Sequence, residues 1–250
     1  MFRSAELILL LDVNMKRKAS DAFGDDDNDI ASDLLLEAHF KHPFTAIVAG
    51  PTKCGKSSWI KQLLENLRKI IPSPEKIYWC YSLWQKLYET IDDEVEFVAG
   101  LLNVDKLNKK VRNLIIVDDL MDEKDDRLTK LFTKGSHHRN TSVVYITQNL
   151  FEQHKDSRTI SLNAQYMIAF KNPRDPSQIN HLSRQVFPSN SEYLLDSFLK
   201  ATRKEHGYLF IDLSQTTPDD YRLRAHVFGQ PGCPYKSEIL YEPIKSKRVR

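Results

Sequence analysis

The chain has 250 residues, of which 41% are hydrophobic and 28% charged, and its formal net charge of +2 does not by itself indicate a nucleic-acid partner. Its 3 cysteines are widely spaced and include no C-x-x-C pair, so neither a disulfide framework nor a cysteine zinc site is supported, and a reducing intracellular compartment is expected. No apolar stretch approaches the ~20 residues of a membrane-spanning helix, and we expect no membrane association.

The first residues of the chain do not show the pattern of a protein core. Residues 1–42 include an acidic stretch from Asp21 to Glu37 without a basic residue, which is typical of a disordered, solvated leader. Residues 32–40 are a candidate for a short helix or strand beside a sheet.

A phosphate-binding motif follows the first apolar run. The run from Thr45 to Ala49 is β-branched and apolar, as a buried parallel strand requires, and Gly50 to Ser57 then matches G-x-x-x-x-G-K-[ST] at every fixed position. A strand that leads through a glycine loop into a helix N-terminus is the geometry that binds phosphate. A helix reaching Ile71 is predicted by the helical spacing of Trp59, Ile60, Leu63, Leu64, Leu67, Ile70 and Ile71.

This loop predicts a site for ATP and Mg²⁺. Backbone N–H groups and the helix dipole attract the phosphates, Lys56 reaches the β- and γ-phosphates, and the Ser57 hydroxyl contributes to Mg²⁺ binding. A glycine turn with a surface lysine is the alternative interpretation. The predicted nucleotide-binding residues are Gly50, Pro51, Thr52, Lys53, Cys54, Gly55, Lys56, Ser57 and Ser58.

Aromatic residues dominate the next stretch. Ile77 to Tyr81 and Val95 to Val98 predict short strands, and Trp84, Leu87, Tyr88 and Ile91 fit one face of a helix between them. Two interpretations exist for Tyr78, Trp79, Tyr81 and Trp84, a base-stacking platform or aromatics of the core, and the core is favoured.

A pair of carboxylates marks the end of another predicted strand. Leu114 to Val117 has the pattern of a buried strand, and Asp118 and Asp119 follow directly. In P-loop NTPases a carboxylate at this point, called Walker B, holds Mg²⁺, which is the role predicted for Asp118. Asp119 is then placed to orient or activate the attacking water. A solvated strand end is the alternative.

An amide follows the next strand. A helix ending at Gly135 and a strand from Ser142 to Thr147 are predicted, and Gln148 comes just after that strand. Residues beyond the carboxyl ends of parallel strands face the ligand crevice, so Gln148 is predicted to sense the γ-phosphate or to position water. His137 and His138 do not predict a metal site, because adjacent side chains diverge and no third ligand is evident.

The last part of the chain completes the predicted sheet. A further strand is predicted at Tyr166 to Phe170, helices over residues 177–187 and 191–202, and a closing hairpin from Tyr208 to Leu213 and Tyr221 to Phe228. Residues 236–250 carry five basic and two acidic residues, a weak candidate for nucleic-acid contact. The predicted organisation is a disordered charged leader (1–42), a P-loop ATPase domain (43–230) and a basic tail (231–250).

A family resemblance is carried by four segments in this order: GPTKCGKSSWI, LIIVDDLMDE, SHHRNTSVVYITQNLF, and HGYLFID with YRLR. They resemble the DNA-packaging ATPases of Polinton (Maverick) elements and adintoviruses, relatives of the poxvirus-type packaging ATPases in the FtsK–HerA superfamily. The resemblance covers Pro43 to Phe228. It implies a RecA-like α/β fold with a mainly parallel central sheet flanked by helices, to which the C-terminal strand hairpin is added.

The resemblance also implies a function and partners. It implies an ATPase that moves double-stranded DNA, without sequence preference, into a capsid or portal-like vertex. The expected assembly is a homo-oligomeric ring, a hexamer or a pentamer, in the host nucleus or cytoplasm or associated with virions.

Two roles in catalysis follow from the same resemblance. FtsK–HerA proteins place an arginine finger just before the strand that starts near Ser142, where Arg139 matches and Arg184 is the reserve candidate. Many members carry Glu where this chain has Asp119, so Glu123 is the alternative catalytic base.

Other functions remain open from the sequence. They are a P-loop nucleoside or nucleotide kinase, another P-loop DNA enzyme such as a helicase, and a non-catalytic scaffold. A kinase would need an arginine-rich lid, whereas the arginines here are scattered. The intact Lys56, Ser57 and Asp118 argue against a scaffold.

Overall fold

The computed structural model describes residues 38–103, 105, 107–120, 127–135, 140–151, 157–229 and 237–240. Most of the predicted leader and tail lie outside these residues. So do Glu123, His137, His138 and Arg139.

The described residues form short strands that alternate with helices. The strands are β1 (Phe40–Lys41), β2 (Thr45–Ala49), β3 (Ile70–Ile71), β4 (Lys76–Tyr81), β5 (Val95–Ala99), β6 (Asn113–Asp118), β7 (Thr141–Thr147), β8 (Tyr166–Phe170), β9 (Tyr208–Asp212), β10 (Leu223–Ala225) and β11 (Glu238–Ile239). The helices are α1 (Lys56–Glu65), α2 (Arg127–Lys130, continued by a π-helical turn over Leu131–Gly135), α3 (Ser157–Leu162), α4 (Ser177–Val186) and α5 (Ser191–Ala201).

One sheet organises this part of the chain, with the strand order β5-β4-β6-β7-β2-β8-β9-β10-β11. The strands from β5 to β8 are parallel, and β9, β10 and β11 continue the sheet antiparallel. Strand β7 lies between β2 and β6 although it follows both in the chain. The predicted α/β class, the mainly parallel sheet and the C-terminal hairpin of β9 and β10 are confirmed.

Both faces of the sheet are covered, which is why its strands are continuous apolar runs. Ala46 and Val48 of β2 face a core that includes Trp59, Ile60 and Leu63 of α1. Alternate residues of the same strand face the core built with α2, α3, α4 and α5. Each of the three α1 side chains is at most 2% exposed, and burying one contributes about 1.5–3 kcal/mol. This packing fixes the start of α1 over the edge of the sheet.

The predicted extension of the helix to Ile71 is wrong. Helix α1 ends at Glu65, a 3₁₀ turn follows over Leu67–Lys69, and β3 pairs in parallel with β1. There are two causes. Ile71 precedes Pro72, and a proline disfavours helical backbone at the residue before it. Phe40 is also fully buried beside the α1 core, which places β1 where it can pair with Ile70 and Ile71.

The predicted helix between β4 and β5 is also wrong. A 3₁₀ turn forms there instead, over Lys86–Thr90, and its Tyr88 ring packs against Trp79 of β4 and Phe97 of β5. Tyr78 and Trp79 are buried, as the core interpretation requires, whereas Trp84 is 53% exposed.

Three other elements differ from the sequence prediction. No element was predicted where α3 forms, and β11 lies in the segment assigned to the tail. Strand β1 lies in the segment assigned to the leader, at the end of the stretch 32–40 that was a candidate for a short helix or strand. Across the described ranges, the helices are too short or too polar to cross a bilayer.

Candidate nucleotide site

The phosphate-binding motif forms a tight turn between β2 and α1. Gly55 precedes α1 with φ 113°, a left-handed conformation that favours glycine. A Cβ on Gly50 would lie 2.6 Å from Cβ of Phe170 and 2.7 Å from Sγ of Cys54, so the backbone approaches its neighbours too closely for a side chain. The two glycines of the motif are therefore required by different constraints, one conformational and one steric.

The start of α1 is suited to an anion. Within the described residues, Gly55 supplies no side-chain cap and the first turn of α1 holds no acidic residue. The first N–H groups of a helix lack intrahelical partners and carry the positive end of the helix dipole. This arrangement favours a phosphate at the loop.

Lys56 curls back across the loop. Its ammonium group donates to the carbonyl oxygen of Gly50 at 2.6 Å and to that of Pro51 at 3.1 Å. Carbonyl oxygens thus hold the positive charge above the turn. Phosphate oxygens can replace them as hydrogen-bond acceptors of the ammonium group.

Asp118 ends β6 and is buried, with 6% exposure. Its Oδ2 accepts a hydrogen bond from the Tyr88 hydroxyl at 2.7 Å and a longer one from Nε2 of Gln85 at 3.5 Å. Burial raises the pKa of Asp118 above its ordinary value, while the Tyr88 hydroxyl and the charge of Lys56 act in the opposite direction. The indole N–H of Trp79 also lowers this pKa, although it completes no hydrogen bond of normal geometry with any described residue.

Asp119 and Gln148 meet at the ends of neighbouring strands. Asp119 has φ 52°, and its N–H donates to the carbonyl of Ile146 at 3.1 Å. The Gln148 amide donates to Oδ2 of Asp119 at 3.0 Å. Both side chains are exposed at the edge where β2 passes into the phosphate loop. The structure thus brings together two residues that the sequence singled out separately.

The residues present fit Mg²⁺. Magnesium prefers oxygen ligands and is held in proteins by one or two carboxylates together with phosphate oxygens. Ser57 offers a hydroxyl in the first turn of α1, and Asp118 offers a carboxylate close enough to Lys56 to be influenced by its charge. Ser57 and Asp118 are therefore the residues that would hold the ion.

A histidine that the sequence did not single out lies against the loop. Nδ1 of His206 and the carbonyl oxygen of Cys54 are 3.1 Å apart, and a Cβ on Gly55 would lie 3.3 Å from the same ring nitrogen. His206 has φ 59° and directly precedes Gly207. The glycine is a local sequence signal for a turn before β9, whereas the contact of His206 with a loop 152 residues away has no local signal.

A cavity of about 280 Å³ adjoins the loop on the side of β8. Gly50, Gln148 and Phe170 line it together with residues of α4 and α5. Gln178 of α4 ties its wall to the segment after β7, since its Oε1 accepts from the N–H of Leu150 at 2.8 Å. Its amide donates to Oδ1 of Asn149 at 3.1 Å and to Oδ2 of Asp175 at 2.7 Å.

The two arginine-finger candidates differ in what the structure says of them. Arg139 lies outside the described residues, as does Glu123. Arg184 is exposed on α4, a helix that contributes Ile179 and Gln178 to the cavity wall.

Strand order and site geometry together decide the fold class. A phosphate loop leads from β2 into α1, a carboxylate ends β6, and β7 is inserted between these two strands. The fold is that of a P-loop NTPase of the additional-strand type.

Comparisons with known proteins give distant structural likenesses. No protein-family model matches the chain, and no curated protein matches it either. Among solved structures, the genome packaging NTPase B204 from Sulfolobus turreted icosahedral virus 2 in complex with AMPPCP is 16% identical, with a TM-score of 0.49 over 70% of this chain and 95% of that one. B204, the DNA-packaging ATPase from Sulfolobus turreted icosahedral virus, is 15% identical, with a TM-score of 0.48 over 70% of this chain and 96% of its own.

A third solved structure is more remote still. The pCW3 conjugation coupling protein TcpA is 15% identical, with a TM-score of 0.42 over 70% of this chain and 58% of that chain. At these identities and scores the likenesses do not assign a function, and the fold class rests on the strand order itself.

Proposed function

We propose that this protein is an ATPase that drives double-stranded DNA into a capsid. The hydrolytic part of the proposal rests on one observation, the 3.0 Å hydrogen bond between Gln148 and Asp119 beside the phosphate loop. Hydrolysis requires a group that accepts a proton from water, and an exposed carboxylate held by a neighbouring amide suits that task.

Each residue of the site has a role in this proposal. Lys56 moves from the loop carbonyls to the β- and γ-phosphate oxygens and stabilises the charge that develops on them. Ser57 and Asp118 would hold Mg²⁺, which would supply positive charge to neutralise that of the phosphates. Asp119 accepts the proton of the attacking water, and Gln148 orients that carboxylate and responds to the γ-phosphate.

The DNA partner is proposed from the sequence. Four segments resemble the packaging ATPases of Polinton elements, and Asp119 of one segment is hydrogen-bonded to Gln148 of another beside the phosphate loop. A packaging motor must pass every sequence, so its DNA contacts are made mainly with phosphates. On this proposal the protein assembles as a ring at a capsid vertex and acts in the host cell or in the virion.

The direct test compares two fates of the γ-phosphate. With purified protein, MgATP and double-stranded DNA, we expect release of inorganic phosphate that DNA stimulates, with the same stimulation by duplexes of unrelated sequence. Transfer of the γ-phosphate to nucleosides or nucleotides would contradict the proposed motor function and indicate a kinase. A lack of both reactions, with nucleotide still bound, would favour a non-catalytic scaffold.

A further inference from the structure

A buried tyrosine touches the carboxylate proposed to hold magnesium. Tyr88 is 2% exposed, and its hydroxyl donates to Oδ2 of Asp118 at 2.7 Å. Thirty residues separate the two in the chain, and the loop that carries Tyr88 follows β4, the strand paired with β6. A buried tyrosine hydroxyl needs a hydrogen-bond partner, and here the partner is the end of β6.

The ring of Tyr88 is held firmly enough to fix the position of its hydroxyl. It stacks on Phe97 with ring centroids 5.2 Å apart and an interplanar angle of 29°, and it lies 5.1 Å from the Trp79 ring. Trp84 packs against it edge-on at 5.3 Å. The backbone around it is also bonded, since the N–H of Tyr88 donates to the carbonyl of Gln85 at 3.0 Å.

A fixed hydroxyl limits how the carboxylate can turn. A carboxylate on a single Cβ rotates easily, and one strong hydrogen bond to Oδ2 selects one orientation of the group. Outer-shell partners of this kind orient metal ligands, and their loss typically costs 10–100-fold in metal affinity or activity.

We propose that Tyr88 is a positioning residue for Mg²⁺ binding: its hydroxyl holds Asp118 in the orientation in which the carboxylate meets the nucleotide-bound ion. This inference rests on the proposed function, since it assigns Asp118 to magnesium. It adds a residue from the loop after β4, outside both phosphate-site motifs, to the machinery of the site.

The test is a magnesium titration of nucleotide binding. Tyr88→Phe removes the hydroxyl and keeps the ring in its aromatic cluster. Tyr81→Phe is the matched control, because it removes a hydroxyl from the same cluster, 5.7 Å from Tyr88 between ring centroids, and leaves the bond to Asp118 in place. Binding of a fluorescent, non-hydrolysable ATP analogue is measured as Mg²⁺ is raised from zero.

The expected result separates metal binding from folding. Tyr88→Phe should raise the Mg²⁺ concentration at half-saturation about tenfold, with unchanged analogue affinity in the absence of metal. Saturating Mg²⁺ should restore much of the hydrolysis rate. Tyr81→Phe should behave as the wild type, and Tyr88→4-aminophenylalanine, which restores an N–H donor, should shift the midpoint back.

Three results would overturn the inference, and each can be told apart from the others. If Tyr88→Phe had the midpoint and the Mg²⁺ dependence of the wild type, Tyr88 would have no role in Mg²⁺ binding. The proposed function would not be affected by this result. If nucleotide binding by the wild type did not depend on Mg²⁺, both the inference about Tyr88 and the proposed function would be contradicted. The midpoint is also measured in Asp118→Asn, where adding Tyr88→Phe should change nothing further; a tenfold additional shift there would show that Tyr88 acts elsewhere.

Discussion

The backbone at Asp119 explains the residue type found there. With φ 52° the residue lies in the left-handed region, where Asp and Asn are several-fold enriched over other side chains. The resemblance leads one to expect Glu at this point, but a short polar side chain tolerates the conformation better. The hydrogen bond from Gln148 then orients the shorter carboxylate.

This geometry predicts the behaviour of Asp119→Asn. Asparagine tolerates the same backbone, so the fold and ATP binding should be preserved. Hydrolysis should fall at least ~100-fold, because an amide cannot accept the proton of water. Single-turnover hydrolysis and equilibrium ATP binding measure the two effects separately.

Gln148→Ala serves as the comparison for this variant. It releases Asp119 without removing the carboxylate, so hydrolysis should fall less than in Asp119→Asn, and less DNA should be moved per ATP hydrolysed. Full hydrolysis by Asp119→Asn would transfer the role of catalytic base to Glu123.

At the scale of the element, the junction of β2 and α1 depends on small residues. Gly50→Ala would place a methyl group 2.6 Å from Cβ of Phe170, so the loop or β8 must move. We expect a loss of about 1–3 kcal/mol in the free energy of unfolding and a clear loss of ATP affinity, because the moved loop no longer presents its N–H groups together.

Gly100→Ala is the control for that prediction. Gly100 has φ 78° and open space where a Cβ would lie, so alanine there costs stability through the backbone alone. Its ATP affinity should stay at the wild-type value. Denaturant unfolding and calorimetric titration with ATP provide the two readouts, and wild-type ATP affinity in Gly50→Ala would contradict the steric account of the loop.

The elements that the sequence predicted correctly share one property. A strand buried on both faces is an apolar run, and a loop with fixed glycines has a fixed motif, so β2, β6 and the phosphate loop could all be located. The end of α1 could not, since Ile70 and Ile71 continue the helical spacing while they pair with β1. The spacing of apolar residues carries no information about a partner strand that lies 30 residues earlier in the chain.

The candidate site shows the same limit at finer detail. Lys56, Asp118, Asp119 and Gln148 were located because each follows a recognisable strand or motif. Tyr88 and His206 were not located as site neighbours, because their contacts with Asp118 and Cys54 are made between distant parts of the chain. Only the packing of the aromatic cluster and of the turn before β9 brings them there.

For the whole molecule, the proposed ring makes a prediction about mixed subunits. Arg139 is assigned by resemblance as the finger that completes the neighbouring subunit's site. Arg139→Ala and Lys56→Ala should each lack hydrolysis alone. The first substitution removes the arginine finger, and the second removes the positive charge that stabilises the phosphate oxygens. Mixed rings should regain part of the activity, because an intact phosphate loop then meets an intact Arg139.

The mixing experiment needs evidence that the rings are mixed. Differently tagged subunits recovered together provide it, and Arg184→Ala, at an exposed position of α4, is the comparison for the reserve candidate. Full hydrolysis by Arg139→Ala alone, or no recovery in rings shown to be mixed, would exclude Arg139 as the finger.

ATP-driven movement along double-stranded DNA is the central claim, and displacement of a third strand measures it most directly. A labelled oligonucleotide bound as a triplex is placed at the end of a long duplex, and its release is followed with ATP, with a non-hydrolysable analogue and with the Asp119→Asn protein. We predict that the third strand is released with ATP only, and at similar rates on duplexes of unrelated sequence. The rate of release should fall steeply as the salt concentration is raised. Hydrolysis that DNA stimulates without releasing the third strand from any duplex would contradict the claim.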